Sequence, residues 1–274
     1  MKVALICCGR LENRYAVEFV EHYKQLGFDH IYICDNNHDG EEHFEDVLQP
    51  YIDEDFVTII NYRNVICIQW FVYKHVYDIL SYYDYKYDWL FCCDFDEFLT
   101  LTKDKNIKEY LSRDCFKDAN QILINWKTYT DNDLVYDDGR PCLERFTEQN
   151  KSLFNCYYVK CFIKGHQNQI YMYTPHFFYN DELNNTTYNN CGIKCKCESY
   201  QDINYDLSYI KHFQTKTIDE YLNNKLKRGT GDRSYEHFKM SYDFNTFFII
   251  NKKTKEKLDY LKNHNINIED NLNL

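Results

Sequence analysis

Proline and glycine are scarce in this chain of 274 residues, at three and eight. That scarcity argues against long linkers and low-complexity segments, so most of the length belongs to compact structure. No stretch approaches the roughly 18 apolar residues that a membrane-spanning helix requires. Basic residues are outnumbered, 32 against 43 acidic ones, for a net charge of −11. Such a balance disfavours indiscriminate binding to nucleic acid or to anionic membranes. No Gly-x-Gly-x-x-Gly follows the first predicted strand, which sets aside a dinucleotide site of that kind. A secretory leader is not read either, because the apolar run 3–8 is short and meets Arg10-Leu11-Glu12 at once. The expectation is a cytoplasmic protein without a transmembrane segment.

What the chain has in excess is aromatic and thiol side chains: 27 Tyr, 19 Phe and 13 Cys. Without a secretory context the cysteines read as buried, reduced thiols. Hydrophobic periodicity predicts strands at 3–8, 30–34, 56–61 and 89–93. Helices are predicted at 15–26 and 68–83, the first ended by Gly27 at its C′ position. Strand and helix alternating at this spacing predict an α/β fold, a mostly parallel sheet flanked by helices. Ligands of such sheets lie beyond the carboxyl ends of the strands. That rule gathers Arg10–Asn13, Asp35–Asn37 and Asp94–Glu97 around one crevice.

The densest chemistry is in Trp89-Leu90-Phe91-Cys92-Cys93-Asp94-Phe95-Asp96-Glu97-Phe98-Leu99. An apolar strand that runs into three carboxylates within four residues is a local contradiction. Their charges repel and are costly to desolvate without a partner. A divalent cation resolves it, since carboxylate oxygens suit Mg²⁺, Mn²⁺ or Ca²⁺. On a strand Asp94 and Asp96 point one way and Phe95 the other. Sites of the Mg²⁺ type combine one or two carboxylates with substrate phosphates. An acidic turn with no ligand is the plainer reading of the same residues.

Around this block the sequence resembles the family-2-type glycosyltransferases. Glu12-Asn13, the helix with Phe19-Val20-Glu21-His22-Tyr23, then Leu26-Gly27-Phe28 and Ile31-Tyr32-Ile33-Cys34-Asp35-Asn36 look like their opening. The block from Trp89 to Leu99 matches the branch with the signature Trp-Leu-x-x-x-Asp-x-Asp-Glu-Phe-Leu. Later blocks fit it too: Asn125-Trp126 leading to Thr130-Asp131-Asn132-Asp133, Glu144-Arg145-Phe146, Val159-Lys160, Pro175-His176, and His212-Phe213 followed by Lys225 and Arg228-Gly229. The resemblance runs over roughly residues 1–235. It implies a GT-A-like fold, a nucleoside-diphosphate sugar as donor, UDP-sugar foremost, and Mn²⁺ or Mg²⁺ as cofactor. It implies a glycan or glycolipid acceptor and a place beside other glycan-assembly enzymes in surface polysaccharide synthesis.

By the same resemblance Asp96 is a direct metal ligand, and Asp94 holds metal, donor sugar or ribose. Asp35 lies near the nucleobase or ribose, Glu12 belongs to the donor site, and Glu97 orients the loop. A C-terminal histidine completes the metal site in such enzymes; His212 is the first candidate and His176 the second. Inversion at the anomeric carbon needs a carboxylate base and positive charge on the leaving diphosphate. Asp131, with Asp133 behind it, is the expected base. Lys225 and Arg228, three apart on a helix predicted at 218–227, are the expected cations. A solvated acidic loop and a dipole-favoured helix end are the structural alternatives. Gln69, Arg145 and Lys160 match family positions without an assigned contact.

Two further readings stay open. Asp94 could be the nucleophile of a haloacid-dehalogenase-like phosphatase, although that motif continues to Thr or Val where this chain has Phe98. A non-catalytic nucleotide-sugar-binding protein would keep the fold without turnover. Cys191, Cys195 and Cys197 lack the paired spacing of a zinc site, and thiols are the default there. The expected division is a GT-A-like domain over 1–240 and a helical C-terminal extension over 241–274. That extension holds an amphipathic helix at 252–264 and a frayed tail from 265.

Overall fold

Two compact units make up the chain: Met1–Trp126 with Asn155–Lys211, and Lys127–Phe154 with His212–Leu274. The computed structural model describes residues 1–66, 69–84, 86–229 and 240–266. Ile68, the expected start of the second helix, the end of the resembling stretch at 230–235 and the tail from 267 lie outside the described residues. The second unit thus joins a stretch from the middle of the chain to its C-terminal part.

The first unit carries a large mixed sheet. Its strands are β1 (Val3–Gly9), β2 (His30–Asp35), β3 (Val57–Asn61), β4 (Trp89–Asp94), β5 (Glu97–Leu101), β6 (Gln121–Thr128), β7 (Val159–Lys164), β10 (Thr187–Asn189) and β11 (Ser208–His212), with the order β3-β2-β1-β4-β7-β6-β11-β5 and β10 beside β6. The remaining two, β8 (Tyr171–Thr174) and β9 (Phe177–Tyr179), form a separate hairpin. β1 to β4 pair in parallel, whereas β7 runs antiparallel to β4 and β6. Every residue of β2, and all but the last residue of β4, is buried, which is why both read as continuous apolar runs.

Helix α1 (Asn13–Gln25) buries Tyr15, Ala16, Phe19, Val20 and Tyr23 along one stripe. Gly27 takes φ +86°, and Phe28 N–H closes back on Tyr23 O at 3.2 Å, so the helix ends as a glycine at C′ predicts. Helix α2 (Glu45–Asp53) was not expected. Its apolar positions Val47, Leu48, Tyr51 and Ile52 lie on one side, but the segment is short and contains Pro50, which hides it from a helix reading. Helix α3 (Gln69–Asp78) runs into a π-helical turn, Ile79–Asp84.

His22, on α1, bonds Leu99 O through Nε2 at 2.8 Å and packs edge-on to Phe98. Burial pulls its pKa down to about 4, against the opposing effect of that hydrogen bond. The folded form therefore binds its proton more weakly than the unfolded chain does. The stability this gives is complete above pH 6.5 and is lost as pH falls towards 4, by up to about 3 kcal/mol. His22→Gln should flatten the stability curve in that window, as read by urea unfolding at stepped pH. An unchanged slope would assign the acid sensitivity elsewhere.

Candidate active site

Parallel register brings the carboxyl ends of three strands level. Cys8 pairs with Cys34 and with Asp94, and Gly9 pairs with Asp35. Asp35 and Asp94 thus flank β1 at one edge of the sheet, where the sequence rule put them. Phe95 and Asp96 form the turn from β4 to β5. Phe95 points inward, stacked on Phe44 at 5.2 Å and tilted on Phe19 at 4.7 Å. A Cβ on Gly9 would lie 2.4 Å from the Phe95 ring, so glycine at the end of β1 is what lets this anchor seat. The turn closes on itself, because Glu97 Oε2 accepts the Asp94 N–H at 3.0 Å.

Asp94 is held by three side chains. Lys160 Nζ, from β7, donates to Oδ2 at 3.0 Å, and Tyr73 OH donates to Oδ1 at 2.6 Å. Gln69 Nε2 bonds the same Oδ1. Lys160 is 1% exposed and also stands 3.8 Å from Glu97 Oε1. Burial works against its charge, but Asp94 and Glu97 more than offset it, so its pKa lies well above the ordinary lysine value. Burial raises the Glu97 pKa well above the carboxylate range, with Asp94 and Asp96 adding to the rise and Lys160 opposing it.

A divalent cation fits this chemistry. Asp94 and Asp96 against Lys160 leave one formal negative charge, and Glu97 would add a second where a cation took the place of its proton. Glu97 Oε1 is buried and accepts no hydrogen bond among the described residues. Asp96 itself is 5% exposed.

The second acidic position is built differently. Asp35 Oδ2 takes Arg63 NH1 at 2.8 Å, and Oδ1 takes both nitrogens of Asn37, at 2.9 and 2.7 Å. Arg63 also donates to Glu42 O and His38 O at 2.9 and 2.6 Å. Asp35 is therefore the anchor of the loop after β2. Asn37 Oδ1 accepts Leu11 N–H at 2.9 Å, and Arg10 makes a bidentate pair with Glu41, so this loop is tied to the one after β1. Buried Glu12 is the N-cap residue of α1.

Other candidates fall in the second unit. Asp131 is fully enclosed, 2.6 Å from Lys257 Nζ, with its N–H on Asn251 Oδ1 at 2.7 Å. Burial pushes its pKa up to about 6, with Lys257 acting in the opposite direction. Asp133, 43% exposed, pairs with Lys252 at 2.8 Å. Lys225 donates to Gln214 O at 2.6 Å from a π-helical turn, and Arg228 closes the short helix that follows. Arg145 forms a fork with Glu220, at 2.9 and 2.8 Å. His212 is the buried last residue of β11. His176 belongs to the first unit, its Nδ1 2.8 Å from Val159 O between the rings of Trp126 and Tyr158.

The three clustered cysteines do not converge. Cys197 is buried against Thr187 and Gln121, and no ligand group among the described residues includes Cys191, Cys195 or Cys197. Sequence reasoning missed Tyr73 and Arg63 outright, and saw Gln69 and Lys160 without their contacts. A buried lysine in the strand 159–164, otherwise apolar to Ile163, was the available signal for the last.

The fold is that of a GT-A-like glycosyltransferase. More particularly, the chain belongs to glycosyltransferase family 92, whose family model matches residues 6–272. The resemblance therefore holds at the level of a glycosyltransferase, in family 92, and a transferase family over nearly the whole chain stands against the phosphatase reading. Among solved structures the chain is similar to Staphylococcus aureus TarS, at 10% identity and TM-score 0.45, covering 90% of this chain and 43% of that one. It is also similar to TarS 1–349 in complex with UDP, at 10% identity and TM-score 0.43, covering 90% and 71%. The chain thus spans less than half of the longer TarS chain. A comparison with functionally curated proteins gives no match.

Proposed function

We propose that this protein transfers a sugar from a nucleoside-diphosphate sugar, foremost a UDP-sugar, to a hydroxyl of a glycan or glycolipid, with inversion. The observation that carries the reading is the level edge of β1, β2 and β4, which sets Asp35 and Asp94 beside the Asp96 turn. Asp96 and Glu97, in and after the turn that follows β4, would hold Mn²⁺ or Mg²⁺. When bound, that cation offsets the charge of the donor diphosphate. Asp94, fixed by Lys160, Tyr73 and Gln69, would orient donor sugar or ribose, and Asp35 and Glu12 would shape the nucleoside end.

The acceptor oxygen forms its bond to the anomeric carbon as the bond to the diphosphate oxygen breaks. The diphosphate leaves with the electron pair, and a carboxylate takes the hydroxyl proton. Of the two expected bases, Asp133 has the surface to meet a substrate, whereas Asp131 is enclosed on Lys257. Lys225 and Arg228 would add charge for the leaving group. A cytoplasmic site of action, alongside other glycan-assembly enzymes, is part of the proposal. The twelve described cysteines are all free thiols, which supports it. Among the described residues no helix is long and apolar enough to cross a membrane.

The test is a melting-point panel with UDP, GDP, CMP and their sugars, each with Mn²⁺ and with EDTA. A nucleotide at a hundred times its dissociation constant should add about 2.7 kcal/mol. UDP is expected to stabilise only with metal. Asp96→Ala should abolish that gain while leaving the unliganded melt unchanged or raised, because it relieves carboxylate repulsion. Stabilisation that survives in EDTA, or in Asp96→Ala, would falsify the assignment. Donor binding without transfer or donor hydrolysis would indicate a binding protein instead.

A further inference from the structure

Apart from His176 in its turn, the β8–β9 hairpin takes no part in the donor site described above. Its two faces differ sharply. Met172 and Phe178 turn inward, 2% and 0% exposed, and join the core cluster that holds Tyr77, Leu123 and Ile163. On the outer face Tyr171, Tyr173 and Tyr179 are 52%, 68% and 38% exposed. Tyr171 and Tyr173 are two apart on one strand, and Tyr179 is the cross-strand partner of Tyr171, so all three share that face. The rings of Tyr171 and Tyr173 lie parallel within 9°, their centroids 6.2 Å apart. Between Ile170 and Tyr179 there is no Asp, Glu, Lys or Arg, in a chain where 27% of residues are charged.

An exposed hairpin face without charge, faced with parallel phenol rings, is a recognition surface rather than a solvated one. The absence of basic residues, on a chain of net charge −11, disfavours an anionic membrane or a polyanion. A neutral sugar ring answers the same features. Its C–H face stacks on a phenol ring, and its hydroxyls meet the Tyr OH rim. Successive rings along the strand would take successive residues of one chain. We infer that the outer face of this hairpin binds a neutral oligosaccharide, the acceptor glycan, by stacking on Tyr171 and Tyr173 with Tyr179 beside them. This rests on the transferase reading for the role of the glycan, but not for its binding.

The full-length chain would be titrated calorimetrically with maltohexaose, cellohexaose and chitohexaose, with UDP plus Mn²⁺ run in parallel. At least one oligosaccharide should bind saturably. Y171A/Y173A should weaken it about tenfold or more, and Y171F/Y173F should retain it, since the ring and not the hydroxyl does the stacking. Both variants should keep the wild-type melting point and UDP response, the inward Met172 and Phe178 being untouched. No binding of any of the three, or equal binding by the alanine variant, overturns the inference. So does binding to phosphatidylcholine vesicles, or self-association lost in the alanine variant, in place of sugar binding. Sugar binding without a UDP response would leave this surface standing and remove the donor reading; the reverse result would do the opposite.

Discussion

Lys160→Met is expected to cut transfer by roughly a hundredfold or more, the scale on which a misplaced reacting group costs rate. It should also destabilise the fold by about 3–5 kcal/mol at neutral pH, because removing one partner strands buried charge. The ammonium lies between Asp94 Oδ2 and Glu97 Oε1, at 3.0 and 3.8 Å, and is the direct cationic partner of the carboxylate that closes β4. Without it, Tyr73 and Gln69 still hold Asp94 Oδ1, but Oδ2 loses its donor. Glu97, whose carboxyl burial raises and Lys160 lowers, then titrates still higher in the folded protein than in the unfolded chain. The folded variant binds more protons over that interval, so its stability falls as pH rises. The deficit against wild type is thus smallest near pH 4 and widens towards pH 8. Unfolding measured at both ends checks this, together with kcat at a temperature where the variant is fully folded. A variant that is destabilised but turns over normally would make Lys160 purely structural. One that is stable at pH 8 would refute the charge argument.

The acidic turn was legible because it violates a local rule, and local rules are what a sequence displays. A buried strand ending in Asp94, Asp96 and Glu97 announces an unmet charge, and alternation of strand and helix fixes which end of the sheet it occupies. Gly27 likewise declared its cap. The counter-charges were not legible in the same way. Lys160 meets Asp94 across 66 residues and Arg63 meets Asp35 across 28. Periodicity tells which face of an element is apolar and not which ion finds which. Strand β5 was absorbed into the motif that precedes it, since Glu97-Phe98-Leu99 reads equally as the end of a signature. The packing of the second unit was obscured for a related reason. Its amphipathic helix, found at Lys255–Asn263, shows an apolar stripe through Leu258 and Leu261. Lys257, on which Asp131 closes, looks like any solvent-facing lysine until the fold buries it.

The same long-range pairing makes Glu220→Ala the most damaging change expected in the second unit. The Arg145 side chain is fully buried, and its guanidinium forks onto Glu220 at 2.9 and 2.8 Å, with Asp137 at 3.1 Å on one side. A guanidinium does not deprotonate to escape an apolar site, as a lysine would. Truncating Glu220 therefore leaves a buried charge with a partner that is itself partly exposed, at a cost of about 3–5 kcal/mol. Glu220 Oε2 also accepts from Thr217 N–H and Oγ1 in a capping box that opens the helix at Ile218–Glu220. That loss adds about 1 kcal/mol. Glu220→Gln keeps the acceptor at the cap and removes only the charge, so it should fall between wild type and alanine. The double change Arg145→Met with Glu220→Leu tests the account from the other direction. It exchanges the pair for apolar side chains of similar volume and should recover most of the stability lost in Glu220→Ala, because both desolvation costs vanish together. Chemical unfolding of the four proteins gives the order directly. Wild type and the double variant should lie close together, with Gln below them and Ala lowest. A double variant as unstable as Glu220→Ala would mean that the fork and the cap shape the backbone of this unit, beyond neutralising one another.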